Sequence, residues 1–293
     1  MELLNQMPKR NLFGLEKQDY STAKIVVLPV PYDSTATYKT GSREGPRAII
    51  EASRNIELYS YELGRSLEGL GIYTLDELAP NLSSPEKMIA SISKEIGIII
   101  DDKKTPLMLG GEHTITIGAA SAFKERGVEM SVIQFDAHTD SRDEIYGSKY
   151  THATVMARVK ELYSDPVQVG IRSIDEESAK HIDRERVIFA EEVHTTSAED
   201  LAKKILSLTK ENVYLSIDLD VLDPSEMPSV GTPEPGGLSF RELSDLIKRI
   251  GKSKNLMGFD VVELSPIPYM IAPDYLAAKL TYLTIGYFFQ SQN

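Results

Sequence analysis

The stretch Met130–Asp140, MSVIQFDAHTD, passes from a mainly apolar run into a cluster of charged side chains. The apolar part is typical of a strand that is buried on both faces. Asp136, His138 and Asp140 follow where this strand leaves the core, and alternate residues of an extended segment point to the same side. Carboxylates that converge there repel one another, so the sequence predicts a cation among them.

Similar short runs recur along the chain, and most are followed by a longer amphipathic segment. They are KIVVLPV from Lys24, TPLMLGG from Thr105, PVQVGIR from Pro166, NVYLSIDLD from Asn212 and LMGFDVVEL from Leu256. This alternation is typical of βαβ units and predicts an α/β fold with a mainly parallel sheet. No repeat or low-complexity linker interrupts it, so residues 1–293 are predicted to form a single domain.

Helices are predicted between these strands, and two long loops connect to them. The helices are GPRAIIEASRNIELYSYEL from Gly45, SPEKMIASISKEIGIII from Ser84, HTITIGAASAFKER from His113, SAEDLAKKILSLTK from Ser197, SFRELSDLIKRIG from Ser239 and PDYLAAKLTYLTIGYFF from Pro273. The loops are PYDSTATYKTGSREGP from Pro31 and DPSEMPSVGTPEPGG from Asp223. They are too long to be simple connections, which predicts that they line a functional site.

The composition narrows the class of protein and of ligand. The formal net charge of −12 disfavours nucleic acid and suits metal ions or cationic small molecules. The absence of cysteine excludes disulfides and thiolate metal sites. The N-terminal segment does not resemble a signal peptide, and the apolar runs fall short of the ~20 residues of a membrane span. These features predict a cytoplasmic protein without a membrane segment.

Three other predicted strands also end in metal-binding residue types. His113 follows LMLGGE, Asp218 and Asp220 end VYLSIDLD, and Glu263 follows GFDVV. The carboxyl ends of strands form the ligand-binding edge of open α/β sheets, so these groups are expected to converge. The candidate metal ligands are His113, Asp136, His138, Asp140, Asp218 and Asp220.

The number and type of these ligands indicate two ions. Four carboxylates and two imidazoles are too many for one tetrahedral zinc, but they suit two divalent ions with octahedral oxygen and nitrogen surroundings. Mn²⁺ is the leading candidate, and four aspartates balance the charge of two such ions. Each signal is weaker alone, because a strand-end DxD also fits a helix cap and a single histidine also fits a bond to a backbone carbonyl.

Other histidines and glycines receive simpler interpretations. His181 and His194 lie in the charged stretches SAKHIDRER and AEEVHTT and are predicted to be surface residues. The glycines of LGGEH are not followed by a GxGxxG pattern or a Walker lysine. We expect them to permit a close approach of two backbones beneath the metal ligands.

Four segments resemble the signature regions of the ureohydrolase family, which includes arginases and agmatinases. They are GGEHTITIG, FDAHTD, SIDLDVLDPSEMPSVGTPEPGG and GFDVVELSP, and PYDSTATYKTGSREGPRAI is similar to the N-terminal region of agmatinases. The resemblance implies a three-layer α/β/α sandwich around an eight-stranded, mainly parallel sheet, as in arginases and deacetylases. It also implies two Mn²⁺ ions per subunit and a homo-oligomer, either a trimer or a hexamer.

The resemblance further implies hydrolysis of a guanidine to urea and an amine, by attack of a hydroxide that bridges the two metals. One metal would be held or bridged by His113, Asp136, Asp140 and Asp220, and the other by Asp136, His138, Asp218 and Asp220.

Three residues are assigned to catalysis, His152 and Glu263 on the same resemblance and Asp140 on the chemistry of the reaction. His152 in YTHATV matches the proton-shuttling histidine of the family, and Glu263 matches the glutamate that pairs with the substrate guanidinium. Asp140 is expected both to bind metal and to pass a proton to the departing amine. Ala153 stands where relatives usually have glycine, and the alternative role for His152 is to cap the helix that begins nearby.

The segment SRDEIYGSKYT, between Asp140 and His152, bears on the substrate. It lacks the arginase-like NxHGxP pattern, and Asp143 or Glu144 would suit a cationic amine. Agmatine, giving putrescine and urea, is therefore the favoured substrate, and GIRS and GTPEPGG are also similar to agmatinases.

Several alternatives to this substrate assignment stay open. Asp143 and Glu144 also fit a solvated loop. Arg142 or Lys149 would instead bind the carboxylate of guanidinobutyrate or arginine. A metal-binding scaffold without turnover is disfavoured, because all six ligands, His152 and Glu263 are present.

Overall fold

The computed structural model describes residues 10–16 and 18–289, which surround an eight-stranded parallel sheet. Its strands are β1 (Ile25–Val30), β4 (Ile72–Thr74), β5 (Thr105–Gly110), β6 (Ser131–Phe135), β7 (Val167–Ile171), β8 (Val187–Phe189), β9 (Asn212–Asp218) and β10 (Asn255–Val262). Their order is β4-β1-β5-β10-β9-β6-β7-β8, and every neighbouring pair is parallel. Two short strands, β2 (Tyr59–Ser60) and β3 (Arg65–Ser66), form a separate antiparallel pair.

The helices lie on both faces of the sheet. They are α1 (Gly45–Ser53), α2 (Pro85–Asp101), α3 (Ile115–Glu125), α4 (Val155–Leu162), α5 (Glu176–His181), α6 (Ala190–Thr195), α7 (Ala198–Leu208), α8 (Phe240–Gly251) and α9 (Ile271–Phe288). Alternate strand residues enter two different hydrophobic cores. Val27 and Leu107 pack with α1, α7, α8 and α9, whereas Val26 and Met108 pack with α2, α3 and α4. The predicted three-layer α/β/α architecture is therefore confirmed.

The starts of several helices follow from local sequence. The Ser84 side chain accepts a hydrogen bond from the Lys87 backbone N–H at the start of α2. Ser239 and Glu242 form a reciprocal capping box at the start of α8. These caps satisfy backbone donors that a helix cannot satisfy internally, so the helices begin where the sequence analysis placed them.

Several details differ from the sequence-based expectation, and α4, α5, α6 and the β2–β3 pair were not among the predicted elements. The edge strands β4 and β8 were not recognised, because three residues are too few to show a periodicity. The helix predicted from Gly45 ends at Ser53 instead of continuing for ten more residues to Leu63. Ile56 and Leu67 beyond it enter the same core as α9, and this packing outweighs helical propensity.

The prediction of a single domain covers residues 1–293, of which residues 1–9, 17 and 290–293 lie outside the described ranges. It stays a prediction. None of the helices within residues 10–16 and 18–289 combines the length and apolar character that a bilayer crossing requires.

Candidate metal centre

The six predicted metal ligands lie together at the carboxyl edge of the sheet. His113 follows β5, Asp136, His138 and Asp140 follow β6, and Asp218 and Asp220 lie at the end of β9 and in the turn after it. Because β10 and β9 lie side by side between β5 and β6, the ends of these strands meet at one place. The topology therefore brings together residues that are more than a hundred positions apart in the chain.

The ligands form two neighbouring groups that share Asp136. His113 Nδ1 lies 3.2 Å from Asp136 Oδ2, 3.1 Å from Asp140 Oδ2 and 3.2 Å from Asp218 Oδ2. His138 Nδ1 lies 2.9 Å from Asp220 Oδ2 and 3.6 Å from Asp136 Oδ1. Asp136 thus offers one oxygen to each group. Asp218 Oδ2 lies with the His113 group, whereas the resemblance assigned Asp218 to the other metal.

Hydrogen bonds to the outer side of the His113 ring indicate which nitrogen faces the carboxylates as a ligand. His113 Nε2 lies 2.8 Å from Ser216 Oγ, and Ser216 Oγ donates to Asp260 Oδ1 at 2.8 Å. Since the single Ser216 proton is used by Asp260, Ser216 accepts from His113 Nε2–H. The lone pair of neutral His113 is then on Nδ1.

This arrangement fits a divalent cation. Within the described residues, buried His113 Nδ1 makes no well-aligned hydrogen bond, although three carboxylate oxygens surround it. One imidazole lone pair and several carboxylate oxygens directed at one point form a typical donor set for such an ion. The residues therefore fit the two divalent ions that the sequence predicted.

The pKa values of these groups show how strongly the centre requires positive charge. Burial raises the pKa of Asp218, and the carboxylates of Asp220 and Asp136 raise it further. Burial lowers the pKa of His113, but the carboxylates of Asp136, Asp140 and Asp218 favour the protonated imidazole, outweigh burial and hold this pKa well above its usual value. Burial likewise lowers the pKa of His138, yet Asp220 and Asp136 raise it to about 12. Protons therefore compensate the carboxylates when no metal is bound.

These shifts predict that Mn²⁺ binds more weakly as the pH falls. The raised pKa values mean that His113 and His138 hold protons in the metal-free protein, and each imidazole must lose its proton to bind metal. If each ion displaces one proton, the Mn²⁺ dissociation constant rises about tenfold for each unit of pH decrease. Titration calorimetry in buffers of different ionisation enthalpy, from about pH 6 to about pH 8, measures the Mn²⁺ dissociation constant and the number of protons released on binding. A pH-independent affinity without proton release would contradict the assignment.

The metal centre lies at the wall of a cavity of about 290 Å³. Asp140, Asp218, Asp220 and His138 line it, together with His152 and Glu263. Residues 36–39 and 231–232 also line the cavity, and they belong to the two long loops that were predicted to line a site. A guanidine in this cavity would therefore contact the metal ligands and both loops.

Arg172 holds the second of these loops against the metal ligands. Its Nη2 atom donates to the backbone oxygens of Asp220 and Glu234, both at 2.7 Å. Its Nη1 atom donates to the backbone oxygens of Gly170 and Val221 at 3.2 Å. The Arg172 guanidinium thus ties the turn that carries Asp220 to the loop at residues 223–237.

Glu263 provides a negative charge in the cavity wall. Its Oε1 atom accepts a hydrogen bond from the His113 backbone N–H at 2.6 Å, and its backbone has a positive φ of 66°. Burial raises the pKa of Glu263, and the nearby Glu112 carboxylate adds to this effect. A cationic ligand would relieve that unfavourable charge, and a guanidinium offers a planar fork of N–H donors that matches a carboxylate.

His152 faces the same cavity and does not cap the following helix. Thr151 caps the short 3-10 turn at His152–Thr154 and forms a reciprocal capping box with Thr154, and Thr154 is the residue that precedes α4. The His152 ring instead lies 3.2 Å from Thr35 Oγ1 through Nδ1 and 3.4 Å from Thr37 Oγ1 through Nε2. Ala153, which follows His152, is also part of the cavity wall. The ring is thus placed to exchange protons within the cavity.

The model of the arginase family matches residues 23–285. The chain belongs to the arginase family. Within this family, it is 37% identical over 292 residues to the N(1)-aminopropylagmatine ureohydrolase of Synechocystis sp., covering 97% of this chain and 95% of that protein. It is 33% identical over 276 residues to the agmatinase of Pyrococcus horikoshii, covering 92% and 93%.

A solved structure of a ureohydrolase is also similar to this chain. The agmatine ureohydrolase of Thermoplasma volcanium is 34% identical and has a TM-score of 0.85 to this arginase-family chain, with 92% of each chain covered. The predicted family is therefore confirmed. The chain is a hydrolase of the ureohydrolase type, related to agmatinases.

The structure places the two acidic residues that were expected to meet the substrate amine outside the cavity wall. Asp143 Oδ1 lies 2.5 Å from Arg158 Nη2, and Asp143 Oδ2 lies 3.3 Å from Lys149 Nζ. Among the described residues, neither Asp143 nor Glu144 belongs to the lining of this cavity in the arginase-family chain. This placement agrees with the solvated-loop alternative for both residues.

The two remaining histidines lie at the surface, and one of the basic residues considered for substrate binding lines the cavity. His181 and His194 are exposed, as predicted, and His194 Nδ1 lies 3.1 Å from Glu242 Oε1. Arg142 does line the cavity, and its Nε atom lies 3.4 Å from Asp175 Oδ2. Asp175 at the cavity wall was not recognised from the sequence.

Sequence reasoning also missed several residues that support the centre, namely Thr35, Glu112, Ser216, Asp260 and Arg172. Asp260 carried a recognisable signal, because it is a charged residue inside the otherwise apolar strand β10. It is fully buried and accepts hydrogen bonds from Tyr214, Ser216 and Thr116. A charge in a buried strand requires such partners, and this requirement was visible in the sequence of the arginase-family chain.

Proposed function

We propose that this chain hydrolyses the guanidinium group of agmatine, releasing putrescine and urea, with two Mn²⁺ ions per subunit. The observation that carries the proposal is the pair of ligand groups sharing Asp136 at the wall of a cavity that Glu263 also lines. The ureohydrolase and agmatinase names of similar proteins support the reaction type. The predicted trimer or hexamer and the cytoplasmic location belong to the same proposal and rest on the resemblance and the composition.

In this proposal, one set of residues binds the metal ions and another binds the substrate. His113, Asp136, Asp140 and Asp218 would hold one ion, and Asp136, His138 and Asp220 would hold the other. When bound, the ions would supply Lewis acidity and a strong nucleophile derived from water near neutral pH.

Glu263 binds and orients the guanidinium in this proposal. Its Oε1 atom is held by the His113 backbone N–H, so the carboxylate has a fixed direction relative to the ligand group of His113. A charge-assisted pair with the guanidinium would place the central carbon beside the metal centre. The bound guanidinium is then already aligned with the metal centre, so the reaction does not depend on a chance collision in the right orientation.

Asp140 and His152 transfer protons in this proposal. Asp140 lies at the His113 group with a positive φ of 45°, and its backbone oxygen accepts from the Met156 N–H at 2.8 Å. A carboxylate held in this way can accept a proton and deliver it to the departing amine. His152 then exchanges protons between the cavity and solvent.

N(1)-aminopropylagmatine is the second candidate substrate. The observation that favours it is the name of the Synechocystis sp. relative, which covers nearly the whole chain. Both candidates carry a cationic tail. A carboxylate-bearing substrate such as guanidinobutyrate or arginine is disfavoured, because Arg142 already lies beside Asp175 and Lys149 beside Asp143.

Urea release from Mn²⁺-loaded protein tests the proposal. Agmatine, N(1)-aminopropylagmatine, arginine and 4-guanidinobutyrate are compared in parallel at about pH 9, where hydroxide formation at the metals is favoured. We expect agmatine to give the highest kcat/KM, with N(1)-aminopropylagmatine as the principal competitor. Preference for arginine or 4-guanidinobutyrate would overturn the substrate assignment. Absence of urea from all four would favour a metal-binding scaffold.

A further inference from the structure

We propose that Glu112 and Thr35 are positioning residues that hold neutral His152 with its proton on Nδ1 and leave Nε2 for proton exchange in the cavity. The catalytic consequence rests on the proposed function of His152. The hydrogen-bond arrangement itself rests only on contacts among described residues, and it can be tested separately.

Glu112 anchors the arrangement. It is fully buried, and its Oε2 atom accepts from the backbone N–H groups of Ser34 at 2.7 Å and Thr35 at 2.6 Å. Its Oε1 atom accepts from the hydroxyls of Thr114 at 2.7 Å and Thr35 at 2.9 Å. These four donors fill the acceptor sites of the two Glu112 carboxyl oxygens. The Thr35 hydroxyl proton is therefore directed at Glu112.

Thr35 has only acceptor capacity left for His152. Its Oγ1 atom accepts from the His152 backbone N–H at 3.0 Å and lies 3.2 Å from His152 Nδ1. A threonine hydroxyl carries one proton, and Glu112 already receives it, so His152 Nδ1 must be the donor. The lone pair of neutral His152 is then on Nε2, which lies on the side of Thr37 and the cavity. The Glu112 carboxylate thus selects the His152 tautomer through the Thr35 hydroxyl.

A close backbone contact brings the three residues together. The Glu112 N–H donates to the Tyr32 backbone oxygen at 2.8 Å, and the Gly111 N–H donates to the Val30 backbone oxygen at 2.9 Å. A Cβ atom on Gly111 would lie 1.9 Å from the Tyr32 oxygen, so a side chain there would separate these segments. Gly111 therefore allows the loop that carries Thr35 to lie against Glu112.

Two variants of Thr35 distinguish the effect of its hydroxyl group from the effect of its side-chain shape. Thr35→Val keeps the shape and removes the hydroxyl, whereas Thr35→Ser keeps the hydroxyl. The ring-nitrogen ¹⁵N shifts of His152 report the tautomer in protein labelled on histidine and loaded with diamagnetic Zn²⁺. The His152→Asn spectrum assigns the signals among only five histidines. We expect protonated Nδ1 in the wild type and in Thr35→Ser, and a shift toward protonated Nε2 in Thr35→Val.

Kinetics of the Mn²⁺-loaded enzyme give the second measurement. We expect Thr35→Val to lower kcat for urea release about 10-fold, a part of the ~100-fold or larger effect of general acid–base catalysis. KM and metal content should stay close to wild type, and Thr35→Ser should restore kcat. Thr40→Val, at an exposed position of the same loop, is the matched control and should retain wild-type kinetics.

The possible outcomes are distinguishable. An unchanged His152 tautomer in Thr35→Val overturns the inference, and so does a kcat loss that Thr35→Ser fails to restore. If the wild type releases no urea from any guanidine, the proposed function fails, while the ¹⁵N shifts still decide whether Glu112 and Thr35 select the tautomer.

Discussion

Replacing Asp136 by asparagine is expected to remove both bound metal ions and to abolish measurable urea release. Asp136 directs Oδ2 toward His113 and Oδ1 toward His138, so it contributes to both ligand groups. An amide has no negative charge and only one acceptor oxygen, and each group then loses a ligand or its charge. The loss should exceed the ~10–100-fold effect of removing an outer partner of a ligand. Metal analysis by mass spectrometry and a urea assay measure both effects.

The fold should survive this replacement. Asparagine retains one oxygen that can accept the His138 backbone N–H, which lies 2.6 Å from Asp136 Oδ1. Burial raises the pKa of Asp136, but the imidazoles of His113 and His138 outweigh burial and lower it, so loss of this charge should lower the thermal unfolding midpoint of the metal-free protein while a cooperative transition is retained. Asp183→Asn, at an exposed residue with the same charge change, is the matched control. Two tightly bound ions in Asp136→Asn would refute its shared position.

Replacing Glu263 by glutamine is expected to lower kcat/KM while both metal ions stay bound. Removing one member of a buried charge pair costs about 2–5 kcal/mol, which corresponds to roughly a 30- to 5,000-fold loss. The glutamine oxygen can still accept the His113 backbone N–H, so the position of His113 should be preserved. The amide NH₂ would face the guanidinium donors and lose the attraction. Steady-state kinetics with agmatine, together with metal analysis, measure the effect.

This pattern distinguishes substrate binding from metal binding. Asp136→Asn should lose metal and activity together, whereas Glu263→Gln should lose activity alone. Glu77→Gln, at a side chain that pairs with Arg47 away from the cavity, controls for the loss of one negative charge. A kcat/KM within about threefold of wild type in Glu263→Gln would remove Glu263 from the substrate-binding role, because that difference is below 1 kcal/mol.

Local sequence was sufficient to place the six candidate metal ligands at one edge of the sheet, because each one lies at or just after the end of a buried strand. The apolar run at residues 131–135 predicts the strand, and the strand predicts that Asp136 and the charged residues after it lie at the sheet edge. The same reasoning failed for Asp143. Its orientation depends on Arg158 and Lys149, and Arg158 lies on the following helix α4.

The sequence by itself therefore determined the α/β class, the parallel sheet, the family and a candidate set of metal ligands that lies at one sheet edge. Strand periodicity and strand-end chemistry are local properties, so they can be read along the chain. The tertiary structure decided the pairing of ligands around Asp136, the end of α1 and the positions of Asp143 and Glu144. It also decided the contact from Glu112 through Thr35 to His152, whose partners Thr35 and His152 are 117 positions apart. Such contacts arise only when packing closes long loops, and no local pattern specifies which polar groups will then meet.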